Sequence, residues 1–172
     1  MILRLLILLF ALSFTTVFAA SSTIDNAALS WLATLDKNEI AVAKETLKRS
    51  NNPNVNSYAK QLLQDHTNNL QKTLSFNPAL THHPVKTKGV VTLKKEGTSA
   101  LHQLQRTARK NYNALFVKDM VEGHRNALLS IDEILPELNG DIKKHFEATR
   151  MVVNHHLKEA QALQQMLSNK KE

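Results

Sequence analysis

The stretch Tyr112–Leu128, YNALFVKDMVEGHRNAL, decides the fold, because it reads as part of one long amphipathic helix. Apolar residues recur in and just beyond it at steps of three and four, the spacing that places side chains on one helix face. They are Phe116, Val117, Met120, Val121, Leu128 and Ile131. His124 falls inside this face. Since such a stripe is buried against other helices, the stretch predicts a helical bundle with a histidine in its core.

Two further segments repeat this pattern, each with one histidine in the middle of its apolar face. The segment from about Pro53 to Ser75 carries His66. The segment that starts at Asp141 and ends at about Ser168 carries His156. Asp65 and His155 are next to these histidines in the chain, and since adjacent helical residues diverge by about 100°, both are expected nearer the rim.

The first helix is expected to start near Ser22 or Asp25, which are plausible caps, and to end before Asn51-Asn52-Pro53. Glu39 is interpreted as the only acid in its apolar stripe. A buried carboxylate is costly unless it is paired or bound to a metal. Glu39 is therefore either a functional group in the core or an acid at the stripe edge that reaches water.

The pattern breaks between the second and third helices. Two prolines and two glycines between Phe76 and Gly97 predict a long connection over about 76–98, with a short extended run at 90–93. His82 and His83 in this connection are a solvated loop pair or a small metal or anion site. The third helix is expected after Thr98-Ser99, bending at 109–111 and ending around 135–136 or 139–140.

Composition limits the class of protein. The chain has 172 residues, with 42% hydrophobic residues, four glycines and four prolines, which favours long helices in one domain. Cysteine is absent, so disulfides, thiolate metal sites and cysteine nucleophiles are excluded. The net charge of +7 favours a weak attraction to anionic envelope surfaces. Few basic residues cluster and no aromatic residues interleave with them, so there is no specific signal for nucleic-acid binding.

Residues 1–20 resemble a cleaved signal peptide. Arg4 precedes an apolar run from Leu5 to Phe14, and small residues at 19–20 suit a cleavage site. The apolar run is short for a membrane span, which needs roughly 20 residues, although an uncleaved anchor is the alternative. The prediction is one helical domain at 21–172, exported to the periplasm or the outer membrane of a Gram-negative bacterium, without a transmembrane span in the mature chain.

The segments SYAKQLLQDHTNNL, YNALFVKDMVEGHRNAL and VVNHHLKEAQAL, together with Glu39, resemble the exported bacterial ferritin-like family called domain of unknown function 4142. The resemblance implies a ferritin-like four-helix bundle with a long connection between helices two and three. It places the polar set of the family on Glu39, Asp65, His66, His124 and His156. The chain departs from the family at Tyr112-Asn113 and Phe116, where the family tends to show Phe-Asp and then Tyr.

Four side chains from four predicted helices form the candidate metal site: Glu39, His66, His124 and His156. If their levels coincide, they suit a single transition-metal ion such as zinc, copper or iron. Asp65 and Met120 are secondary candidates, the latter for a softer copper ion. The alternative is a polar core in which neutral histidines bond to one another, to Glu39 or to water.

No enzyme is predicted. A di-iron oxidase site needs two Glu-x-x-His motifs, but Leu63, Val121 and Val153 stand three residues before the central histidines. No nucleophile motif or glycine-rich phosphate loop is present. Two functions stay open: a structural or interaction protein of the bacterial envelope, and a metal-binding envelope protein for storage, buffering or sensing. A weaker third interpretation is a bundle that responds to pH through its histidines.

Overall fold

The computed structural model describes residues 14–169, and this part of the chain is built from helices without a strand. Its elements are α1 (Phe14–Arg49), α2 (Pro53–Phe76), α3 (Lys88–Arg106), α4 (Arg109–Ile134) and α5 (Gly140–Asn169), with 3₁₀ turns at Pro78–Thr81 and Leu135–Glu137. The predicted all-α class is confirmed. None of these helices combines the length and the apolar character needed to cross a bilayer.

The predicted signal peptide lies mostly outside the described residues. Residues 1–13 are not described, and the backbone at 14–20 forms the beginning of α1. The cleavage of residues 1–20 stays a prediction. The helix expected to start near Ser22 or Asp25 is continuous with this earlier segment.

The boundary between α1 and α2 is where the sequence predicts it. The Asn52 side chain accepts hydrogen bonds from the backbone N–H groups of Asn54 and Val55 at 3.0 and 3.3 Å, and Pro53 is the first residue of α2. A short turn makes the two helices antiparallel neighbours. Asn77 at the end of α2 donates to Asn26 near the start of α1 at 2.7 Å.

The prediction of a long connection over about 76–98 is wrong from residue 88 onward, because α3 begins there. Thr87 is the N-cap of this helix. The run at 90–93 is helical, not extended. The glycines that suggested a loop lie inside this helix. A Cβ built on Gly97 would lie 2.2 Å from Asn38 Cγ, so glycine lets α3 approach α1 closely. At this contact Asn38 Nδ2 donates to the Leu93 carbonyl at 2.9 Å.

The third predicted helix is two helices. The expected bend at 109–111 is a break at residues 107–108, between α3 and α4. Arg49 stabilises the break, because its guanidinium donates to the carbonyl oxygens of Gln105 and Thr107 at 2.6 Å each. The described residues therefore form five helices, where four were expected.

Helix directions follow from these contacts. α3 runs parallel to α1, since Asn38 meets Leu93 and Arg49 meets Gln105. α4 and α5 form a second antiparallel pair, in which Arg150 and Asp132 make a hydrogen-bonded ion pair. α3 thus carries the chain back along the length of α1, from the end of α2 to the start of α4.

The interior consists of two apolar clusters with a polar layer between them. One cluster includes Val42, Leu62, Phe116 and Leu163, and the other includes Leu32, Ile131, Phe146 and Val153. On each of α1, α2, α4 and α5, buried polar residues lie in the chain between the members of the two clusters. They include Asp36, Glu39, His66, His124 and His156. The central histidines therefore share one level of the bundle.

Leu104 tests whether α3 is an integral part of this core. Its side chain is fully buried in the apolar cluster that includes Val42 and Phe116, whereas Leu129 on α4 is 60% exposed. We expect Leu104→Ala to lower the free energy of unfolding by about 2–5 kcal/mol, through lost burial and a residual cavity. Leu129→Ala is the matched control and should cost less than about 1 kcal/mol. Equal effects in denaturant titrations would contradict this packing.

Candidate metal centre

Three histidines from three helices meet in the polar layer. His66 comes from α2, His124 from α4 and His156 from α5, and none is more than 2% exposed. Each offers one ligand atom, and these three atoms all lie within 4.8 Å of one another. Their ring centroids are 5.3 to 6.1 Å apart. The structure therefore places the three predicted histidines in one cluster.

One ring nitrogen of each histidine has a hydrogen-bond acceptor on the outer side of the cluster. His66 Nδ1 is 2.9 Å from Asp36 Oδ1, and His156 Nε2 is 2.9 Å from Asp65 Oδ2. His124 Nδ1 is 2.8 Å from the Met120 carbonyl oxygen. Because carboxylates and carbonyls accept hydrogen bonds, these three nitrogens carry the protons of the neutral rings.

The other three ring nitrogens have no hydrogen-bond partner among residues 14–169. They are His66 Nε2, His124 Nε2 and His156 Nδ1, here called the inner nitrogens, and all three are buried. Since the outer nitrogens hold the protons, these nitrogens present lone pairs. Three buried lone pairs, each fixed by an oxygen acceptor on the far side of the ring, make an arrangement typical of metal-ligating histidines.

A second layer of hydrogen bonds fixes the acceptors. Asn69 Nδ2 donates to both oxygens of Asp36, at 3.1 and 3.0 Å. Thr149 Oγ1 on α5 donates to Asn69 Oδ1 at 2.8 Å. The hydroxyl of Tyr58 donates to the His156 carbonyl at 3.1 Å, which ties α2 to α5 beside the cluster. The ring orientations are therefore held by α1, α2 and α5 together.

Burial keeps the imidazoles of His66 and His156 in the neutral form that binds metals. It lowers the pKa of His66 to about 4, against a partial opposing effect of Glu39. Burial also lowers the pKa of His156, although its hydrogen bond to Asp65 acts in the opposite direction. Burial raises the pKa of Asp36 well above its usual value, although the Asn69 hydrogen bonds act in the opposite direction. Both histidines are neutral at pH 7, as ligation requires.

Glu39 is close to the cluster but is not a member of it. Glu39 is 9% exposed, and its Oε2 atom makes no hydrogen bond within the part of the chain that the structure describes. Its Oε1 atom lies 4.0 Å from a Cβ built on Gly123, the residue before His124. The group of converging ligand atoms contains the three histidines without this carboxylate.

The secondary candidates have supporting positions. Asp65 binds His156, and Met120 binds His124 through its backbone carbonyl. His82 and His83 are exposed in the connection after α2, with ring centroids 6.5 Å apart. Tyr112 and Phe116, the aromatic residues at which the chain differs from the family pattern, lie in an apolar cluster.

The sequence interpretation missed Asp36, which is fully buried and accepts from His66. The statement that Glu39 is the only acid in the α1 stripe is wrong for this reason. A signal was present, since Asp36 follows the buried Leu32 by four residues and precedes Glu39 by three. Asn69 follows His66 by three residues and therefore lies on the same face of the helix. This indication is weaker, because polar residues at that spacing are also common on exposed faces.

The family model described as Domain of unknown function (DUF4142) matches residues 15–163, so the chain belongs to this family. No curated protein matches the chain. No solved structure matches it either.

The protonation pattern of the cluster is directly measurable. We expect nitrogen-15 NMR of the metal-free protein at pH 7 to show protons on Nδ1 of His66 and His124, and on Nε2 of His156. Because burial lowers the pKa of His66 to about 4, its shifts should remain those of a neutral ring at pH 5.5. An unperturbed histidine, with a pKa of about 6.5, is mostly protonated there. The opposite tautomer at any of the three rings would contradict the assignment.

Proposed function

We propose that this member of the DUF4142 family is an exported protein that binds a single transition-metal ion through His66, His124 and His156. Two observations carry the proposal. One ring nitrogen of each histidine lies within 4.8 Å of the others. Each ring also has one buried nitrogen without a hydrogen-bond partner among the described residues. In each ring, the other nitrogen already has an oxygen acceptor as its hydrogen-bond partner. A cation at the centre is the partner that satisfies all three lone pairs at once.

The alternative polar core is less well supported. It expects the histidines to bond to one another, to Glu39 or to water. Among the described protein groups, the three inner nitrogens and Glu39 Oε2 have no hydrogen-bond partner. A buried polar atom left unsatisfied costs about 1–3 kcal/mol, so three such atoms in one cluster are costly if protein groups are their only neighbours. Three lone pairs also cannot pair with one another, since none brings a proton.

The ligand set favours zinc, copper or iron. Neutral imidazole nitrogens suit these ions, and the absence of cysteine from the chain removes thiolate competition. Three protein ligands leave at least one coordination position open. Glu39 is left out of the proposed set because its oxygens are not among the converging ligand atoms. Asp36, Asp65 and the Met120 carbonyl orient the ligands from outside.

The proposed role is metal storage, buffering or sensing in the bacterial envelope, without catalysis. The Glu-x-x-His motifs of a di-iron oxidase are missing, because Leu63, Val121 and Val153 stand at the positions that the glutamates occupy. A ferritin-like arrangement belongs to the same proposal. It is supported by the antiparallel pairs α1/α2 and α4/α5, with α3 as a helical crossover between them. The resemblance of residues 1–20 to a signal peptide supports export.

Metal content and its dependence on the ligands test the proposal. We expect protein purified from the periplasm without a histidine tag to bind about one ion of zinc, copper or iron per chain. The double variant His66→Ala, His156→Ala should lose that ion, since two of three ligands are gone. His155→Ala is the matched control, because this neighbour has an exposed side chain. Full retention of metal in the folded double variant would contradict the proposal.

A substitution at Asp36 tests whether hydrogen bonds from outside the cluster hold His66 in position to bind the metal. Asp36→Asn keeps the shape of the side chain but weakens its hold on the His66 proton, so we expect metal affinity to fall about 10–100-fold. Asp132→Asn removes the surface partner of Arg150 and serves as the control for lost charge. Competition titrations with a chromophoric chelator measure both variants. Equal affinities for wild type and Asp36→Asn would count against metal ligation by His66.

A further inference from the structure

A second candidate site lies beside the metal cluster, in a pocket of about 620 Å³ between α1, α3 and α4. One part of its wall is apolar and includes Trp31, Leu35, Val42, Leu93, Met120 and Ala127. The charged groups of the lining are Glu39, Glu96, Asp119 and Glu122 against Lys88 alone. The pocket is therefore acidic, although the chain as a whole has a net charge of +7.

Two of these acids each have a buried oxygen without a hydrogen-bond partner among the described residues. These atoms are Glu39 Oε2 on α1 and Asp119 Oδ2 on α4. Glu39 is nine-tenths buried, with 9% of its surface exposed. Burial and the neighbouring Glu122 raise the pKa of Asp119 to about 6, which reflects the cost of leaving this carboxylate unpaired. A buried carboxylate in a pocket wall is stabilised by a ligand that donates hydrogen bonds and carries positive charge.

We propose that this pocket binds a small organic cation, a primary amine with an aromatic or alkyl body, whose N–H groups pair with Glu39 and Asp119. The apolar wall receives the body of the ligand. Trp31 adds an aromatic surface suited to an alkyl or aromatic group. Most ligand pockets have this composition, an apolar wall with a few polar groups that fix orientation.

The site is separate from the metal centre in its chemistry. The pocket lining contains none of the three histidines. The two sites share Met120, which contributes to the pocket wall and holds His124 through its carbonyl. Amine binding is therefore expected in metal-free protein and in the double variant His66→Ala, His156→Ala. Failure of one proposal leaves the other to be judged by its own assay.

Trp31 supplies the readout, because it is the only tryptophan in the chain and lies in the pocket. Phenethylamine titrated into chelator-treated protein at pH 7.5 should change the tryptophan emission in a saturable manner. Phenethyl alcohol and phenylpropionate have a similar body without the positive charge, and should bind at least about tenfold more weakly. Binding of the alcohol as tight as that of the amine would overturn the proposal, and so would an amine that changes neither the emission nor the NMR shifts of the Trp31 indole.

Paired variants assign the contacts. Glu39→Gln and Asp119→Asn conserve shape and remove the charge, so each should weaken phenethylamine binding at least about tenfold. Glu133→Gln removes an exposed acid of α4 outside the pocket and should leave binding unchanged. Circular dichroism and thermal melts establish that each variant is folded. Wild-type affinity in both Glu39→Gln and Asp119→Asn would overturn the proposal, and so would an equal loss in Glu133→Gln.

Discussion

A histidine in a helical core needs a partner for each ring nitrogen, and this requirement organises the centre of the protein. Three of the six ring nitrogens in the cluster are bound by Asp36, Asp65 and the Met120 carbonyl. The remaining three are buried and have no partner among the described groups. The free energy of desolvating them is recovered only if something binds at the centre. A positively charged ion with affinity for nitrogen meets this requirement.

The rest of the fold supports this layer. The two apolar clusters on either side of it bury the helix faces and supply most of the driving force for folding. Because α1, α2, α4 and α5 each contribute buried polar groups at the same level, their relative heights must be fixed to within a fraction of a helical turn. The Tyr58 hydroxyl and the Asn69–Thr149 contact provide this alignment between α2 and α5.

Much of the site was predictable from periodicity, because a histidine in the middle of an apolar stripe is buried when that stripe packs against the other helices. His66, His124 and His156 were found in this way. Asp36 was missed because an acid in an apolar stripe is usually expected to be exposed to solvent. Its burial depends on the hydrogen bonds that Asn69 of α2 donates to it.

The α3 helix was missed because glycine in a sequence usually indicates a loop, whereas in a folded protein it also permits close packing of helices. Gly97 serves the second purpose, against Asn38. Long-range partners of this kind carry no local pattern.

Binding of one metal ion to the three inner nitrogens is visible in an anomalous difference map, measured at the zinc edge from crystals grown with zinc. We expect one strong peak at about 2.0–2.1 Å from His66 Nε2, His124 Nε2 and His156 Nδ1. Peaks confined to the exposed His82 and His83, with the core cluster empty at saturating zinc, would rule out metal ligation by the cluster.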